Sequence, residues 1–300
     1  MNILVVGAGG VGASMASIAE TRGFFDSFVL ADISRERAEQ AVAELDDPGK
    51  FSAETVDAGD VKALIALITR TKADIVINAC DPRFNESIFE ACFTAKCNYL
   101  DMAMSLSEPH ETDPTRKAGL KLGDQQYALN DQWERAGLLA LVGIGVEPGL
   151  SNIFARYAAD HLFSEIDEIS VKDGGNLIVR DENGNEIFAP SFSIWTTIEE
   201  CLNPPLMWEA SKGWYTTPAF SEPEIFEFPD GIGAVECVNV EHEEVSMLPR
   251  TMNAKKYSFK YGLGTDFINV LKTLNLLGLD RTKPVRVRSA CRRGKLCASS

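Results

Sequence analysis

The chain has 300 residues, with 44 acidic against 29 basic side chains and a formal charge of -15. That length suggests about two domains with real cores, and the acidic balance, lacking any basic stripe, excludes nucleic acid as an expected partner. No apolar run approaches the length of a membrane span, the sequence opens directly into a strand, and the seven cysteines form no C-x-x-C pair, so a cytoplasmic protein with reduced thiols, no membrane contact and no metal site is expected.

Ile3-Leu4-Val5-Val6 is a short, β-branched apolar run and reads as a buried strand. It leads into Gly7-Ala8-Gly9-Gly10-Val11-Gly12, a G-x-G-x-x-G pattern. There the first glycine allows the tight turn, the second lets a pyrophosphate approach the backbone, and the third lets the following helix pack on the strand. A helix over residues 11–22, closed by Gly23, would hold the phosphates at its N-terminus. The next strand, residues 28–31, ends in Asp32, twenty residues past Gly12, where a carboxylate accepts hydrogen bonds from an adenosine ribose. Gly7, Gly9, Gly10, Val11, Gly12 and Asp32 are therefore cofactor-binding candidates. Arg35 and Arg37 open the next helix and could meet a ribose 2′-phosphate or remain solvated charges; because Asp32 would repel that phosphate, NAD is favoured over NADP.

A strand near 53–56 leads to Asp57, a candidate for the adenine amino group or for turn chemistry, and a helix over 60–69 follows. The apolar run at 74–78 is the next buried strand, and its carboxyl end places Asn78, Ala79 and Cys80 beside the nicotinamide half. A helix over 85–96 and a strand at 98–100 deliver Asp101 to the same edge. A polar loop at 105–116, a helix at 124–136 with Trp133 in the core, a strand at 138–143, the turn Glu147-Pro148-Gly149 and a helix to about 162 complete six alternations. The pattern is α/β, an N-terminal Rossmann doubly wound parallel sheet over residues 1–150.

From Glu168 the apolar period changes to two, and Glu182-Asn183-Gly184-Asn185 reads as a hairpin turn. Strands at 215–219, 224–228, 234–240 and 257–261, with one helix at 195–202, make residues 151–264 an α+β domain for substrate binding and dimerisation. The amphipathic helix at 265–277 and a strand at 285–288 are expected to return to the first domain, and residues 291–300, basic and without period, read as a disordered tail or an altered end.

Together these segments resemble the saccharopine dehydrogenase family, with its carboxynorspermidine and lysine 6-dehydrogenase branches. The resemblance covers residues 1–288. It rests on the opening glycines, Ile77-Asn78-Ala79-Cys80, Asn98-Tyr99-Leu100-Asp101, Glu147-Pro148-Gly149-Leu150, Phe188-Ala189-Pro190-Ser191-Phe192 and His242-Glu243-Glu244-Val245. It implies an NAD(P)-dependent oxidoreductase that moves hydride at the carbon–nitrogen bond of a small amino acid or polyamine-type amine, and a homodimer formed through the second domain. Alternatives are a lysine-type dehydrogenase releasing ammonia and a non-catalytic dinucleotide-binding scaffold.

Two acid–base candidates stand within that frame. Asp101 lies at a strand end near the expected nicotinamide, where it could equally be a cap. His242, between Glu241 and Glu243-Glu244, would have its pKa raised into the range of a proton shuttle, or be an exposed strand histidine. Glu147, Pro148, Gly149, Phe192 and Glu243 are the substrate-binding candidates. His110 and His161 read as structural, and Trp195, Trp208 and Trp214 as core.

Overall fold

The computed structural model describes residues 1–175, 178–187 and 194–279. The strand expected at 285–288, the tail at 291–300 and the candidate Phe192 lie outside the described residues.

The first sheet holds β1 (Asn2–Val6), β2 (Ser27–Asp32), β3 (Phe51–Thr55), β4 (Ile75–Asn78), β5 (Asn98–Asp101) and β6 (Ala140–Leu141), all parallel, in the order β3-β2-β1-β4-β5-β6. Alternation along β1 sends Leu4 and Val6 to one core and Ile3 and Val5 to the other, so the strand is buried on both faces. The connecting helices are α1 (Gly10–Glu20), α2 (Arg35–Ala43), α3 (Val61–Thr71) and α4 (Asn85–Ala95). Their ends follow local chemistry: Ser34 accepts the Arg37 N–H, Asp60 accepts those of Lys62 and Ala63, and Lys72 and Lys96 close α3 and α4 in the left-handed conformation.

The helix expected at 124–136 is two pieces, α5 (Asp124–Tyr127) and α6 (Asn130–Arg135), because the Leu129 N–H turns back to the Gln126 carbonyl in a tighter i to i+3 bond. Trp133 does enter the core. The last parallel strand is only two residues, an edge element, and α7 (Leu150–His161) follows it.

The second sheet is built around β14 (Lys256–Gly262). On one edge it pairs in parallel with β7 (Glu168–Gly174); its other edge is shared by β10 (Leu206–Glu209) and β13 (Gly233–Asn239), both antiparallel. The sheet is extended by β11 (Gly213–Thr216) on β10 and β12 (Glu224–Phe228) on β13. The predicted hairpin is present as β8 (Val179–Arg180) and β9 (Glu186–Ile187). The helices α8 (Ile194–Leu202), α9 (Glu243–Met247) and α10 (Thr265–Leu277) join α7 around this sheet among the described residues. The α10 helix does not return to the first domain as expected. Its stripe, Ile268 and Leu271, packs in the second core with Leu206, Val238 and Phe259, which is where the apolar face finds cover.

Candidate active site

The order of the first sheet reverses between β1 and β4, and the glycine-rich turn lies at their carboxyl ends, the place where ligands of such sheets bind. The glycines divide the work. Gly7 has φ +106°, and a Cβ there would lie 2.5 Å from the Ala79 carbonyl oxygen; one on Gly12 would lie 2.0 Å from that of Gly7. Both are required by the fold itself. A Cβ on Gly9 or Gly10 would meet nothing within 4 Å, so these two, with Val11 beside them, leave open space at the N-terminus of α1.

Next to that space is a cavity of about 250 Å³ lined by Gly9, Asp32, Arg37, Asp57, Cys80 and Phe84, among others. Asp32 is 7 % exposed. It accepts the Ala8 and Ser34 N–H groups, each at 2.9 Å, and the Arg37 guanidinium at 3.3 Å. Arg35 is elsewhere, paired with Glu39 at 2.6 Å, and Arg37 takes the position expected of it. Residues two apart on a helix do not share a face, so only one of the two can reach the cavity. Asp57 accepts the Gly59 N–H while lining the same cavity. Asn78 donates to Asn85 and Tyr99 and accepts the Cys80 N–H, which rigidifies the strand end. The Cys80 thiol is pushed up to about 12 by burial and by the Asp32 and Asp81 charges, so it stays protonated. The open glycines, the helix N-terminus and a carboxylate beside a ribose-sized cavity fit a dinucleotide.

Asp101 ends β5 and is 1 % exposed. Its carboxylate accepts the Gly143 N–H at 2.7 Å and the Gln126 amide at 2.6 Å. Burial raises it to about 6, against the opposing effect of those two bonds. Three residues on, the Met104 N–H donates to Glu243 at 3.1 Å, joining the first sheet to the second domain.

His242 is not on a strand. It follows β13, caps the short helix α9, and is 2 % exposed. Its ring stacks on Phe259 with centroids 3.8 Å apart and planes 6° from parallel. Nδ1 bonds the Glu244 carboxylate, and Glu243 lies 3.5 Å away. Burial alone would lower its pKa, but the Glu244 charge and hydrogen bond, with Glu243 and Glu200, carry it to about 10. The carboxylate neighbours thus favour His242 as an imidazolium, and Glu244, also held by Ser151 at 2.7 Å, is kept ionised below the usual carboxylate range.

Around this pair stand carboxyls whose ionisation is suppressed. Glu147 is raised to about 7 by burial and the Asp173 charge; Glu200, which accepts from Tyr261 at 3.0 Å, and Glu241, which accepts from Asn203 at 2.8 Å, are raised to about 7 by burial. Pro148 and Gly149 serve the turn itself: the Pro148 carbonyl accepts the Gly145 N–H at 2.7 Å, and Gly149 has φ +131°. Glu200, Tyr261, Ser151 and Gln126 were not among the residues singled out by sequence, because they come from elements distant along the chain; Glu244 was read there only as a charge neighbouring His242.

These shifts set the pH dependence of stability. Glu147, Glu200 and Glu241 bind more protons folded than unfolded between 4.5 and about 7, and His242 does so between 6.5 and about 10. Stability therefore falls as pH rises through both windows, while the lowered Glu244 opposes this only on the acid side, below 4.5. Melting temperature is expected to decline steadily from pH 5 to pH 10. Glu200→Gln should flatten the lower part of the curve and the double variant His242→Gln/Glu244→Gln the upper part; a melting temperature that rises between pH 5 and 9 would refute the assignment.

A parallel sheet in this order, carrying a glycine-rich turn at its switch point and meeting a buried acid–base cluster from a second domain, defines a dinucleotide-dependent oxidoreductase. The particular kind follows from comparison. Residues 3–141 match the saccharopine dehydrogenase NADP binding domain and residues 145–291 the saccharopine dehydrogenase C-terminal domain, so the chain belongs to the saccharopine dehydrogenase family. It is 31 % identical over 296 residues to a carboxynorspermidine synthase of Vibrio cholerae, covering 96 % of this chain and 69 % of that protein. It is 28 % identical over 284 residues to a carboxyaminopropylagmatine dehydrogenase of Synechocystis, covering 94 % and 67 %. The fold matches the apo saccharopine dehydrogenase (L-Glu forming) of Saccharomyces cerevisiae with a TM-score of 0.66 at 16 % identity, over 93 % of this chain and 59 % of the yeast chain. Among the described residues no helix is long and apolar enough to cross a membrane.

Proposed function

We propose that this oxidoreductase acts on the carbon–nitrogen bond of an amino acid or polyamine-type secondary amine. The observation that carries the reading is the His242–Glu244 ion pair, buried among Glu147, Glu200, Glu241 and Glu243 and joined to the first sheet through Met104. A buried wall with so many carboxyls is suited to a cationic amine, and the names of the relatives from Vibrio and Synechocystis point to polyamine-type substrates.

The open backbone at Gly9 and Gly10 would hold the pyrophosphate, and Asp32 the ribose. When bound, the nicotinamide supplies or accepts hydride. The chain's own task is to orient the amine, exclude water and move one proton. His242, as an imidazolium, is suited to donating that proton to the nitrogen; Asp101, near 6, is suited to accepting one at neutral pH. Glu244 and Phe259 position the imidazole, one by its charge and one by stacking. Steady-state oxidation of the reduced cofactor with imines formed from amino acids or diamines, alongside its reduction by lysine, saccharopine and carboxyspermidine-type amines, tests the reading. Release of ammonia from lysine would move the assignment to a simple amine dehydrogenase, and turnover of none of these would leave a dinucleotide-binding scaffold.

We further propose NAD as the preferred cofactor, because the Asp32 carboxylate repels a 2′-phosphate and Arg37 is already engaged by it. Fluorescence titration should give tighter binding of NADH than NADPH, and Asp32→Ala should narrow or invert that ratio; tighter NADPH binding by the wild type would overturn the preference.

A homodimer through the second domain completes the proposal. The edge strand β12 leaves Ile225 70 % exposed, and an apolar sheet edge invites a second copy. Light scattering at micromolar concentration should give twice the monomer mass; a well-folded monomer would count against it.

A further inference from the structure

Asp101 is held by a residue that is itself held from the other domain. Gln126 donates to the Asp101 carboxylate at 2.6 Å and accepts the Ser105 N–H at 2.8 Å, and it stands on α5, a single turn of four residues. A helix that short has no stability of its own, so its place is set by whatever grips it.

The grip comes from the segment around α9. Arg250, three residues past that helix, donates from Nη2 to the Asp124 carboxylate at 2.6 Å. Its guanidinium lies 4.2 Å from the centre of the Tyr127 ring and 5.4 Å from that of Trp214. Asp124 and Tyr127 are the first and last residues of α5. The guanidinium is aimed in turn, because its Nε donates to the Ser246 carbonyl at 2.9 Å, while the Ser246 hydroxyl donates to the Leu122 carbonyl at 2.7 Å, just ahead of α5. A flat, charge-assisted contact of this kind, 29 % exposed and set over two rings, fixes orientation as well as distance. The helix that follows His242 and the turn that orients Asp101 are thereby joined.

We propose that Arg250 is a positioning residue for Asp101, an inference that rests on the proton-accepting role given to that carboxylate above: by gripping both ends of α5 it keeps Gln126 bonded to the carboxylate and so holds Asp101 in one orientation.

The consequence is read in the titration of Asp101. Among the described residues, the titratable groups that face it are Tyr99 on its own strand, Tyr127 on α5 and Glu243 on α9. Losing the Gln126 bond removes a donor from the ionised form, so the carboxyl should titrate higher. A grip and a simple field effect then differ in sign. Arg250→Gln removes a positive charge and Asp124→Asn a negative one, so a field alone would move Asp101 in opposite directions, whereas loss of the grip raises it in both.

Carbon-13 NMR of the full chain labelled at its aspartate carboxyls, with the Asp101 signal assigned by Asp101→Asn, follows this titration without turnover. From about 6 in the wild type, the midpoint is expected to rise by about one pH unit in each variant. The acid limb of the pH–rate profile for amine turnover should rise with it, lowering turnover at pH 6 about fivefold with dinucleotide affinity unchanged. A wild type that turns over no amine would remove the reading above, and the NMR titration would still decide the role of Arg250. An Asp101 midpoint unmoved in either variant, or lowered in Asp124→Asn, would overturn the proposal. Should Arg250→Gln fail to fold, Arg250→Lys, which keeps the charge and loses the flat fork, takes its place with the same upward movement expected.

Discussion

Gly9→Val is expected to leave the protein folded and to weaken dinucleotide binding by about 100-fold or more, close to 3 kcal/mol. The two halves of that expectation have separate causes. A Cβ at Gly9 meets no protein atom within 4 Å, and its backbone, at φ -72° and ψ -167°, suits any residue, so the apo fold loses nothing. The same open volume is where the pyrophosphate would come closest to the backbone, and a branched side chain fills it. Gly12→Val is the contrasting variant: its Cβ would sit 2.0 Å from the Gly7 carbonyl oxygen, so helix and strand must separate and melting temperature should collapse. Calorimetric titration with NADH and thermal melting of both variants check this. Undiminished affinity in Gly9→Val would remove the turn from the cofactor site.

His242→Gln should lower turnover by ~10² to 10⁴-fold, the range for losing a general acid or base, with dinucleotide affinity unchanged. Glutamine retains a donor for Glu244, so the loss would report the proton and not a collapsed cluster. A positional role for Glu244 has a distinct signature. Without that carboxylate the burial of His242 pulls its pKa down from about 10, so in Glu244→Gln the alkaline limb of the pH–rate profile should move toward lower pH, with activity partly recovered in mildly acidic buffer. Full activity in His242→Gln would exclude the imidazole from the reaction, and an unshifted profile in Glu244→Gln would reduce Glu244 to a packing role.

Local patterns made the first domain legible. Strand, glycines, helix, strand and acid occur within about thirty residues, and each signal is read from neighbours in the chain: the unbroken apolar run of β1, the glycines that follow it, the spacing from Gly12 to Asp32. The hairpin β8–β9 and the bounds of α10 were equally local. The fate of α10 was not, because an amphipathic stripe states that it needs cover without stating which core supplies it.

The choice between Arg35 and Arg37 lay between these cases: their spacing ensures that the two point apart, but only the packing of α2 on its sheet selects Arg37 for the cavity. By itself, then, the sequence determined the parallel dinucleotide-binding architecture, the glycine turn, the acid at the end of β2 and the presence of a histidine set among glutamates. The direction of that histidine's shift was local, since Glu244 and Glu243 beside it favour the imidazolium; the tertiary structure decided the rest. Burial against Phe259, which opposes the charge, the Nδ1 bond to Glu244 and the added charge of Glu200 from α8, forty-two positions away in sequence, are properties of the packed chain that no local spacing encodes.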